Sequence, residues 1–217
     1  MKYKLVIFDM DGTILDTLED LMLSVNYIMD QYGYPTHTLL EVKSYVGNGI
    51  YKLIERAVPK GVSKERIDEM FIAFKKYYNL HCKDHTKPYD GIIELIQNLK
   101  NKGCKVAVVS NKAHEAVLQL SNEYFNKLFD ISIGEREGIE KKPSPDSVNE
   151  VMKIFHMNKD ETIYIGDSEV DIQTANNAGI NHIIVKWGFR EYNFLKEKGA
   201  HIIVSSTKEI EDIVFNN

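Results

Sequence analysis

The sequence has 217 residues, of which 43% are hydrophobic and 27% are charged, so the chain can bury the core of one large domain or two unequal ones. Its formal net charge of -5 argues against a broad nucleic-acid-binding surface, which would need clustered surplus lysine and arginine. No apolar run reaches the length of a membrane-spanning helix, so we expect a globular protein that is not embedded in a membrane.

The first predicted element is a short apolar strand that ends in two acids. Residues 5–8 are all apolar, which is typical of a central strand buried on both faces. Asp9 and Asp11 follow this strand, and Gly12 allows the backbone to turn sharply there. Neighbouring carboxylates repel each other unless a cation or a shared proton lies between them, and Mg²⁺ prefers oxygen ligands. The pair indicates a divalent metal or a shared proton, although a solvated acidic turn explains it equally well.

Only helices are predicted for the next part of the chain. Apolar residues recur at helical spacing in several segments, and no strand pattern separates them. The turn-rich residues 87–91 indicate a linker that returns the chain to the first part of the fold. We therefore predict a helical insertion over residues 17–85, with the main domain formed by residues 1–16 and 86–217. The helical segments are residues 18–32, 39–45, 50–58 and 67–78.

The rest of the chain alternates between helices and apolar strands. This alternation predicts an α/β fold with a doubly wound, mostly parallel sheet and helices on both faces. The predicted strands are residues 105–109, 131–133, 162–165, 182–185 and 201–204. The predicted helices are residues 92–99, 113–124, 147–155, 170–178 and 209–214.

Polar residues also follow two later strands. Ser110 and Asn111 come between a strand and a predicted helix, where a hydroxyl and main-chain N–H groups suit an anion, or simply form a helix N-cap. Asp167 and Asp171 follow another strand, and their spacing of four residues places both on one side of a helix. Because ligands bind at the carboxyl ends of parallel strands, we expect these residues to lie near Asp9.

A lysine in a proline-rich loop completes the set of candidate site residues. Lys142 precedes Pro143, which biases the backbone of Lys142 toward an extended conformation. The lysine ammonium is therefore expected at the rim of the sheet and not in free solvent.

These motifs resemble those of the haloacid dehalogenase superfamily, whose members form an aspartyl-phosphate. The segment Asp9-Met10-Asp11-Gly12-Thr13 is similar to the first family motif. Ser110 is similar to the second motif, Lys142 to the third, and residues 166–171 to the fourth. The helical insertion resembles the C1 cap domain of the superfamily, so the resemblance covers the whole chain. Residues 46–49, 166–172 and 187–190 are similar to its phosphoglycolate phosphatase branch.

The resemblance implies a Mg²⁺-dependent phosphomonoester hydrolase that acts on a small phosphorylated metabolite. Asp9 is then the nucleophile, and Asp11 is the general acid and base. The implied catalytic residues are Asp9, Asp11, Ser110 and Lys142. The implied metal ligands are Asp9, Asp11 through its main-chain carbonyl, Asp167 and Asp171. The implied substrate-binding residues are Gly12, Thr13, Asn111, Gly47, Asn48, Gly49 and Arg190.

Some of these roles have structural alternatives. Gly47, Asn48 and Gly49 are also consistent with an ordinary turn between helices, and Arg190 with a structural salt bridge. Lys43, Lys52 and Arg56 are candidates for binding a substrate carboxylate, although solvated surface charge explains each of them as well.

Other functions share part of this pattern. An inorganic pyrophosphatase or a 5′-nucleotidase of the same superfamily uses the same core residues. A dehalogenase of the same fold needs only the nucleophile, so the presence of Asp11 two residues after Asp9 counts against that function. A β-phosphoglucomutase is possible in principle, but the helical insertion does not resemble that branch. A phosphoacceptor signalling module also combines clustered aspartates with a hydroxyl residue and a lysine, but such modules are shorter and lack a helical insertion.

The location and assembly of the protein are also expectations. Cys82 and Cys104 form no close pair, which indicates free thiols in a reducing compartment and hence the cytoplasm. We expect a monomer or a homodimer, with no nucleic-acid or membrane partner.

Overall fold

The structure is a computed structural model, and it describes residues 2–216. The chain divides into two compact units. The larger unit comprises Met1–Leu15 and Pro88–Asn217, and the helical unit comprises Asp16–Lys87.

The described strands are numbered in chain order. They are β1 (Leu5–Phe8), β2 (Leu15–Asp16), β3 (Lys87–Pro88), β4 (Lys105–Ala113), β5 (Ile131–Glu135), β6 (Thr162–Gly166), β7 (Asn181–Val185) and β8 (Ile203–Val204). A 6-stranded sheet in the larger unit has the order β5-β4-β1-β6-β7-β8, and its neighbouring strands pair in parallel. This confirms the predicted α/β class with a mostly parallel sheet. The short strands β2 and β3, which connect the two units, pair with each other.

The described helices surround this sheet or form the helical unit. They are α1 (Leu18–Gln31), α2 (Leu39–Tyr45), α3 (Ile50–Ala57), α4 (Lys64–His81), α5 (Ile92–Asn101), α6 (His114–Phe125), α7 (Asp146–Phe155), α8 (Glu169–Ala178), α9 (Tyr192–Glu197) and α10 (Thr207–Asn216). Among the described residues, none of the helices combines the length and the apolar character needed to span a membrane.

Strand β1 lies at the centre of the sheet, between β4 and β6. Its four side chains are all 0% exposed. Since successive side chains of a strand point to opposite faces, this burial requires cover on both sides of the sheet. Leu5 and Ile7 belong to a cluster that includes buried residues of α7 and α8, and Phe8 packs edge to face on Phe129 with ring centroids 6.4 Å apart.

Strand β4 is longer than predicted. It continues to Ala113, and its register with β5 shifts between Val109 and Ala113. Helix α6 begins only at His114, so Ser110 and Asn111 lie on the irregular end of a strand and not at a helix N-terminus. The reason is pairing: β5 supplies a neighbour for this edge of β4 and extends the ladder beyond the apolar run.

The helical unit consists of α1 to α4. Asp20 of α1 is buried and accepts hydrogen bonds from the main-chain N–H groups of His85 and Thr86 and from the Thr86 hydroxyl. These bonds attach the end of the unit to its first helix. Asn26 and His37 exchange two further hydrogen bonds, at 2.8 and 2.7 Å, which fix the turn after α1.

Candidate active site

Three buried carboxylates meet at the carboxyl ends of two neighbouring strands. Asp9 follows β1, whereas Asp167 and Asp171 follow β6. The main-chain N–H of Asp9 donates to the carbonyl of Ile165 at 2.9 Å, so the two strand ends lie side by side. An oxygen of each carboxylate lies within 4.8 Å of an oxygen of the others. The structure thus brings Asp9, Asp167 and Asp171 into one acidic cluster.

Lys142 joins the acidic cluster from the loop after β5. Its Nζ lies 2.9 Å from Oδ1 of Asp9 and donates a hydrogen bond to Oδ1 of Asp171 at 2.7 Å. Lys142 also donates to the Tyr164 hydroxyl at 2.9 Å, and that hydroxyl donates to the carbonyl of Val109 at 2.8 Å. Only 3% of the lysine side chain is exposed, so these contacts hold the ammonium in one place.

Burial and mutual repulsion shift the pKa values of this cluster. Burial raises the pKa of Asp9 from its ordinary value of 3.8 to about 6, against the opposing charge of Lys142. Burial, together with the charges of Asp171 and Asp9, raises the pKa of Asp167 well above its ordinary value. Burial disfavours the charged form of Lys142, but the carboxylates of Asp171 and Asp9 outweigh it and raise the lysine pKa. The cluster contains three carboxylates, and the ammonium of Lys142 balances one negative charge. The remaining negative charge favours the binding of a further cation.

Both oxygens of Asp171 are occupied by donors from the protein. Oδ1 accepts from Lys142, while Oδ2 accepts from the main-chain N–H groups of Asp167 and Ser168 at 3.1 and 3.0 Å. The Ser168 hydroxyl donates to the same oxygen at 2.6 Å. Asp171 therefore orients Lys142 and the turn before α8, and its oxygens are less accessible to a ligand than those of its neighbours.

Asp167 lies in a narrow space between two glycines. Its Oδ2 accepts from the main-chain N–H of Phe189 at 2.6 Å. A Cβ on Gly12 would lie 2.5 Å from this oxygen, and a Cβ on Gly188 would lie 2.3 Å from the Cβ of Asp167. Gly12 also has a φ of +82°, which L residues with side chains rarely adopt. The two glycines thus allow the backbone to approach the carboxylate closely.

The residues of the acidic cluster fit a divalent metal ion. Oδ1 of Asp9 is buried and, among the described residues, accepts no hydrogen bond of good geometry, although the Lys142 ammonium is near. Asp167 contributes a second buried carboxylate, whose Oδ2 is held in place by the main-chain N–H of Phe189. Such all-oxygen donors are those that hard divalent cations prefer.

Asp11 is not one of the three acids whose carboxylates meet, and its carboxylate pairs with a different lysine. The Nζ of Lys112 donates to Oδ1 of Asp11 at 2.9 Å. The turn that carries Asp11 is closed by a hydrogen bond from the N–H of Gly12 to the carbonyl of Leu15, also at 2.9 Å. The side chain of Asp11 is thus placed beside the cluster and not within it.

The predicted phosphate-binding residues lie at the ends of β1 and β4. Ser110 is buried, and its hydroxyl accepts from the main-chain N–H of Lys112 at 3.4 Å. Asn111 donates to the main-chain carbonyl of Lys142 at 3.0 Å, which links the strand end to the lysine loop. The hydroxyl of Thr13 is buried and has no hydrogen-bond partner among the described residues.

Arg190 forms a salt bridge, which was the structural alternative to its predicted role in substrate binding. Its Nε donates to Oε2 of Glu169 at 2.8 Å, and the charge of Arg190 also acts on nearby Asp167. A substrate-binding role for Arg190 stays a prediction.

The predicted loop of Gly47, Asn48 and Gly49 belongs to the helical unit. It lies between α2 and α3, and Oδ1 of Asn48 accepts from Nη2 of Arg56 at 2.7 Å. Nη1 of the same arginine donates to the carbonyl of Tyr45 at 2.6 Å. Arg56 therefore fixes this loop, and the substrate contacts predicted for the three loop residues stay predictions.

Sequence reasoning missed several residues that organise the site. Lys112 directly follows Ser110 and Asn111, so its position as a third polar residue at a strand end was a usable signal. Tyr164 lies inside an apolar strand, and nothing in the sequence indicates that its hydroxyl reaches Lys142. Phe189 holds Asp167 through its main-chain N–H, and a contact of this kind cannot be recognised from the type of side chain.

Comparison with known proteins gives one consistent family. Residues 6–185 match the family model of the haloacid dehalogenase-like hydrolases. A phosphoglycolate phosphatase from Aquifex aeolicus is 31% identical over 194 residues, which are 88% of this chain and 88% of that protein. The pyrophosphatase PpaX from Halalkalibacterium halodurans is 26% identical over 215 residues, covering 99% of this chain and 98% of that protein.

A solved structure resembles the whole chain. It is a protein from Lactobacillus delbrueckii subsp. bulgaricus, provisionally identified as a phosphoglycolate phosphatase, with 39% sequence identity and a TM-score of 0.95. The match covers 100% of both chains. Together with the family model, these similarities confirm the resemblance of the motifs. This chain belongs to the haloacid dehalogenase-like hydrolase family.

Proposed function

We propose that this protein is a phosphatase that hydrolyses a small phosphomonoester through a phosphoaspartate on Asp9, and that 2-phosphoglycolate is its preferred substrate. The observation that carries the proposal is the placement of the Lys142 ammonium, 2.9 Å from Asp9 and 2.7 Å from Asp171. A buried cation beside a buried carboxylate is suited to bind a phosphoryl group at that carboxylate. Family membership supports the reaction type, and the Aquifex aeolicus relative supports the substrate.

In the first half-reaction, a carboxylate oxygen of Asp9 attacks the phosphorus of the substrate. A bond forms between this oxygen and phosphorus, and the bond from phosphorus to the ester oxygen breaks. Asp11 donates a proton to the departing oxygen, which leaves as an alcohol. Lys142 and Ser110 bind the remaining phosphoryl oxygens and stabilise the negative charge spread over them.

In the second half-reaction, water attacks the phosphorus of the phosphoaspartate. Asp11, now ionised, takes a proton from this water, and the bond between phosphorus and Asp9 breaks. The products are inorganic phosphate and the original carboxylate. The same residue thus serves first as acid and then as base, and the proton balance of the cycle closes.

A divalent ion completes this proposal, and Mg²⁺ is the one that we favour. Asp9, Asp167 and the main-chain carbonyl of Asp11 would hold it, while Asp171 would orient Lys142 and the surrounding turn. When bound, the ion offsets the repulsion between the Asp9 carboxylate and the phosphoryl group. The assignment of residues 17–85 as a cap domain that contributes to substrate choice also remains part of the proposal.

Pyrophosphate hydrolysis is the second candidate function. It is favoured by the similarity to the pyrophosphatase PpaX, which covers nearly the whole chain. The proposed core residues serve both reactions, because each transfers a phosphoryl group to Asp9. The two substrates differ only in the group that leaves.

To test whether Asp9 is the nucleophile, the release of phosphate by the variant Asp9→Asn is measured in the presence of Mg²⁺. An amide cannot form the phosphoaspartate, so we expect activity below about 1% of wild type with 2-phosphoglycolate. Asp160→Asn, at an exposed aspartate of the larger unit, should leave the rate unchanged. Activity of Asp9→Asn above a few per cent, after deamidation is excluded by mass spectrometry, removes Asp9 as the nucleophile.

The test of the substrate is a comparison of kcat/KM among phosphorylated compounds. The panel contains 2-phosphoglycolate, pyrophosphate, β-glucose 1-phosphate and 5′-nucleotides. We expect 2-phosphoglycolate to have the highest value. A value for pyrophosphate that is higher by about tenfold, or 1.4 kcal/mol of transition-state binding, would instead assign the protein as a pyrophosphatase.

A further inference from the structure

Lys112 is a buried cation to which the mechanism above assigns no role. Its Nζ donates to Oδ1 of Asp11 at 2.9 Å. Only 2% of the Lys112 side chain is exposed, compared with 16% of the Asp11 side chain. Removing a lysine from water costs free energy unless an anion compensates its charge. The fold therefore maintains a positive charge directly beside the proposed acid and base residue.

The two buried lysines lie on different sides of the proposed reaction. Lys142 contacts Asp9, where the phosphoryl group is transferred. Lys112 contacts Asp11, which gives its proton to the leaving oxygen. Whatever is bonded to the leaving oxygen is therefore on the side of Lys112, whereas the transferred phosphoryl oxygens are on the side of Lys142.

We propose that Lys112 determines specificity by binding an anionic group of the leaving group, next to the ester oxygen. This inference rests on the proposed function, because it takes Asp11 as the residue that faces the leaving oxygen. The substrate class is then a phosphate whose leaving group carries a carboxylate or a second phosphate beside the scissile bond. Sugar phosphates and 5′-nucleotides have a neutral carbon skeleton at that place.

The distances support contact between Lys112 and such an anion. A general acid must come within about 2.6–3.2 Å of the atom that it protonates. Nζ of Lys112 lies 2.9 Å from Oδ1 of Asp11, so the ammonium and the leaving oxygen would both lie within one hydrogen bond of the same carboxylate. An ammonium has three N–H donors, so its hydrogen bond to Asp11 does not by itself use all of them.

The geometry of the substrates matches this spacing. In 2-phosphoglycolate, the carboxylate is attached to the carbon atom that bears the ester oxygen. In pyrophosphate, the second phosphorus atom itself bears the bridging oxygen. Both compounds place negative charge within reach of an ammonium that contacts Asp11, so the proposal accounts for either candidate substrate.

The experiment compares 2-phosphoglycolate with 2-hydroxyethyl phosphate, which has a neutral hydroxymethyl group in place of the carboxylate. We expect wild-type protein to prefer 2-phosphoglycolate in kcat/KM. In Lys112→Met this preference should fall by about 10- to 100-fold, mainly through KM, because a hydrogen bond to a charged group is lost. Lys112→Arg retains the charge and should retain a preference in the same direction.

A matched control separates this effect from the loss of any lysine. Lys153→Met, at an exposed position of α7, should leave the substrate preference unchanged. If Lys112→Met lowers kcat/KM for both substrates by the same factor, Lys112 only positions Asp11 and the specificity role is wrong.

A binding measurement makes the outcome independent of turnover. Calorimetry with Asp9→Asn should show tighter binding of 2-phosphoglycolate than of 2-hydroxyethyl phosphate, and the added substitution Lys112→Met should remove the difference. Equal affinity of Asp9→Asn for both compounds overturns the inference. Absence of turnover by wild-type protein, with the difference in binding intact, instead contradicts the proposed phosphatase function and leaves the anion site standing.

Discussion

The hydroxyl of Tyr164 lies between the Lys142 ammonium and the main-chain carbonyl of Val109, in the interior of the larger unit. It accepts a hydrogen bond from Lys142 and donates one to the carbonyl of Val109. Its ring is 0% exposed, so water cannot replace either bond. Tyr164 therefore positions Lys142, which we propose to bind the phosphoryl group, and has no proposed contact with the substrate itself.

At the residue scale, Tyr164→Phe tests this positioning role. We expect kcat to fall by about tenfold with a smaller change in KM, because one hydrogen bond that aims Lys142 is worth roughly 1.5 kcal/mol. The free energy of unfolding should fall by about 1–2 kcal/mol, since the Val109 carbonyl loses its partner. Steady-state kinetics and urea unfolding measure both effects. Tyr192→Phe, at a half-exposed tyrosine, is the control, and an unchanged kcat in Tyr164→Phe would refute the role.

The raised pKa of Asp9 also predicts how stability depends on pH. This carboxyl ionises with a pKa of about 6 in the folded protein and 3.8 ordinarily, so the folded state binds its proton more tightly. As the pH rises from about 4 to about 6, the unfolded state releases the proton first. The free energy of unfolding of the metal-free protein therefore falls by up to about 3 kcal/mol. Asp9→Asn cannot ionise, so its stability advantage over wild type should grow across this interval.

Urea unfolding in the presence of a chelator, at several values between about pH 4 and about pH 7, measures this advantage. Asp160→Asn provides a matched loss of one exposed carboxylate. A difference between Asp9→Asn and wild type that stays constant with pH would show that the Asp9 pKa is not raised.

At the scale of elements, the loop between β7 and α9 forms one wall of the site. Trp187 donates from Nε1 to the carbonyl of Thr13 at 3.1 Å, and the N–H of Phe189 donates to Asp167. Gly188 lies between these two contacts, with the Asp167 side chain directly against its backbone. The loop thus fixes, through its main chain, the Asp167 carboxylate that we propose as a metal ligand.

Gly188→Ala should displace Asp167, because the added Cβ would overlap with its side chain. We expect a loss of about 1–3 kcal/mol in stability and a much larger fractional loss of activity, together with a weaker dependence on Mg²⁺. Gly61→Ala is the control, since it introduces backbone strain at a φ of +91° without any atom near the new Cβ. Phosphate release at increasing Mg²⁺ concentration distinguishes the two variants. Wild-type activity in Gly188→Ala would contradict the close contact.

At the scale of the whole molecule, a bound ion should stabilise the native chain. A metal that binds only the folded state adds about 2.7 kcal/mol at 100 times its dissociation constant. We expect the Tm of wild-type protein to rise with Mg²⁺ and that of Asp167→Asn to remain nearly constant. Calorimetry with and without a chelator measures the shift. Equal shifts in wild type and Asp167→Asn would place the ion elsewhere.

The sequence by itself determined the order of the elements apart from β2, β3 and α9, and the edge of the sheet where the candidate site residues lie. An apolar strand followed by acids, as in residues 5–11, can only present those acids at the carboxyl end of a buried strand. The same local logic predicted Asp167 and Asp171 next to Asp9. Periodicity and strand-end position are properties of the chain alone, which is why these predictions needed no coordinates.

Only the tertiary structure decided which charges form pairs. Sequence spacing does not distinguish Asp171, whose two oxygens accept from Lys142 and from the turn before α8, from Asp167, whose Oδ2 accepts from the main chain of Phe189. It also does not show that Asp11 pairs with Lys112, or that Tyr164 holds Lys142. These contacts join residues far apart in the chain, and their partners are set by side-chain packing across strands, which local sequence patterns do not encode.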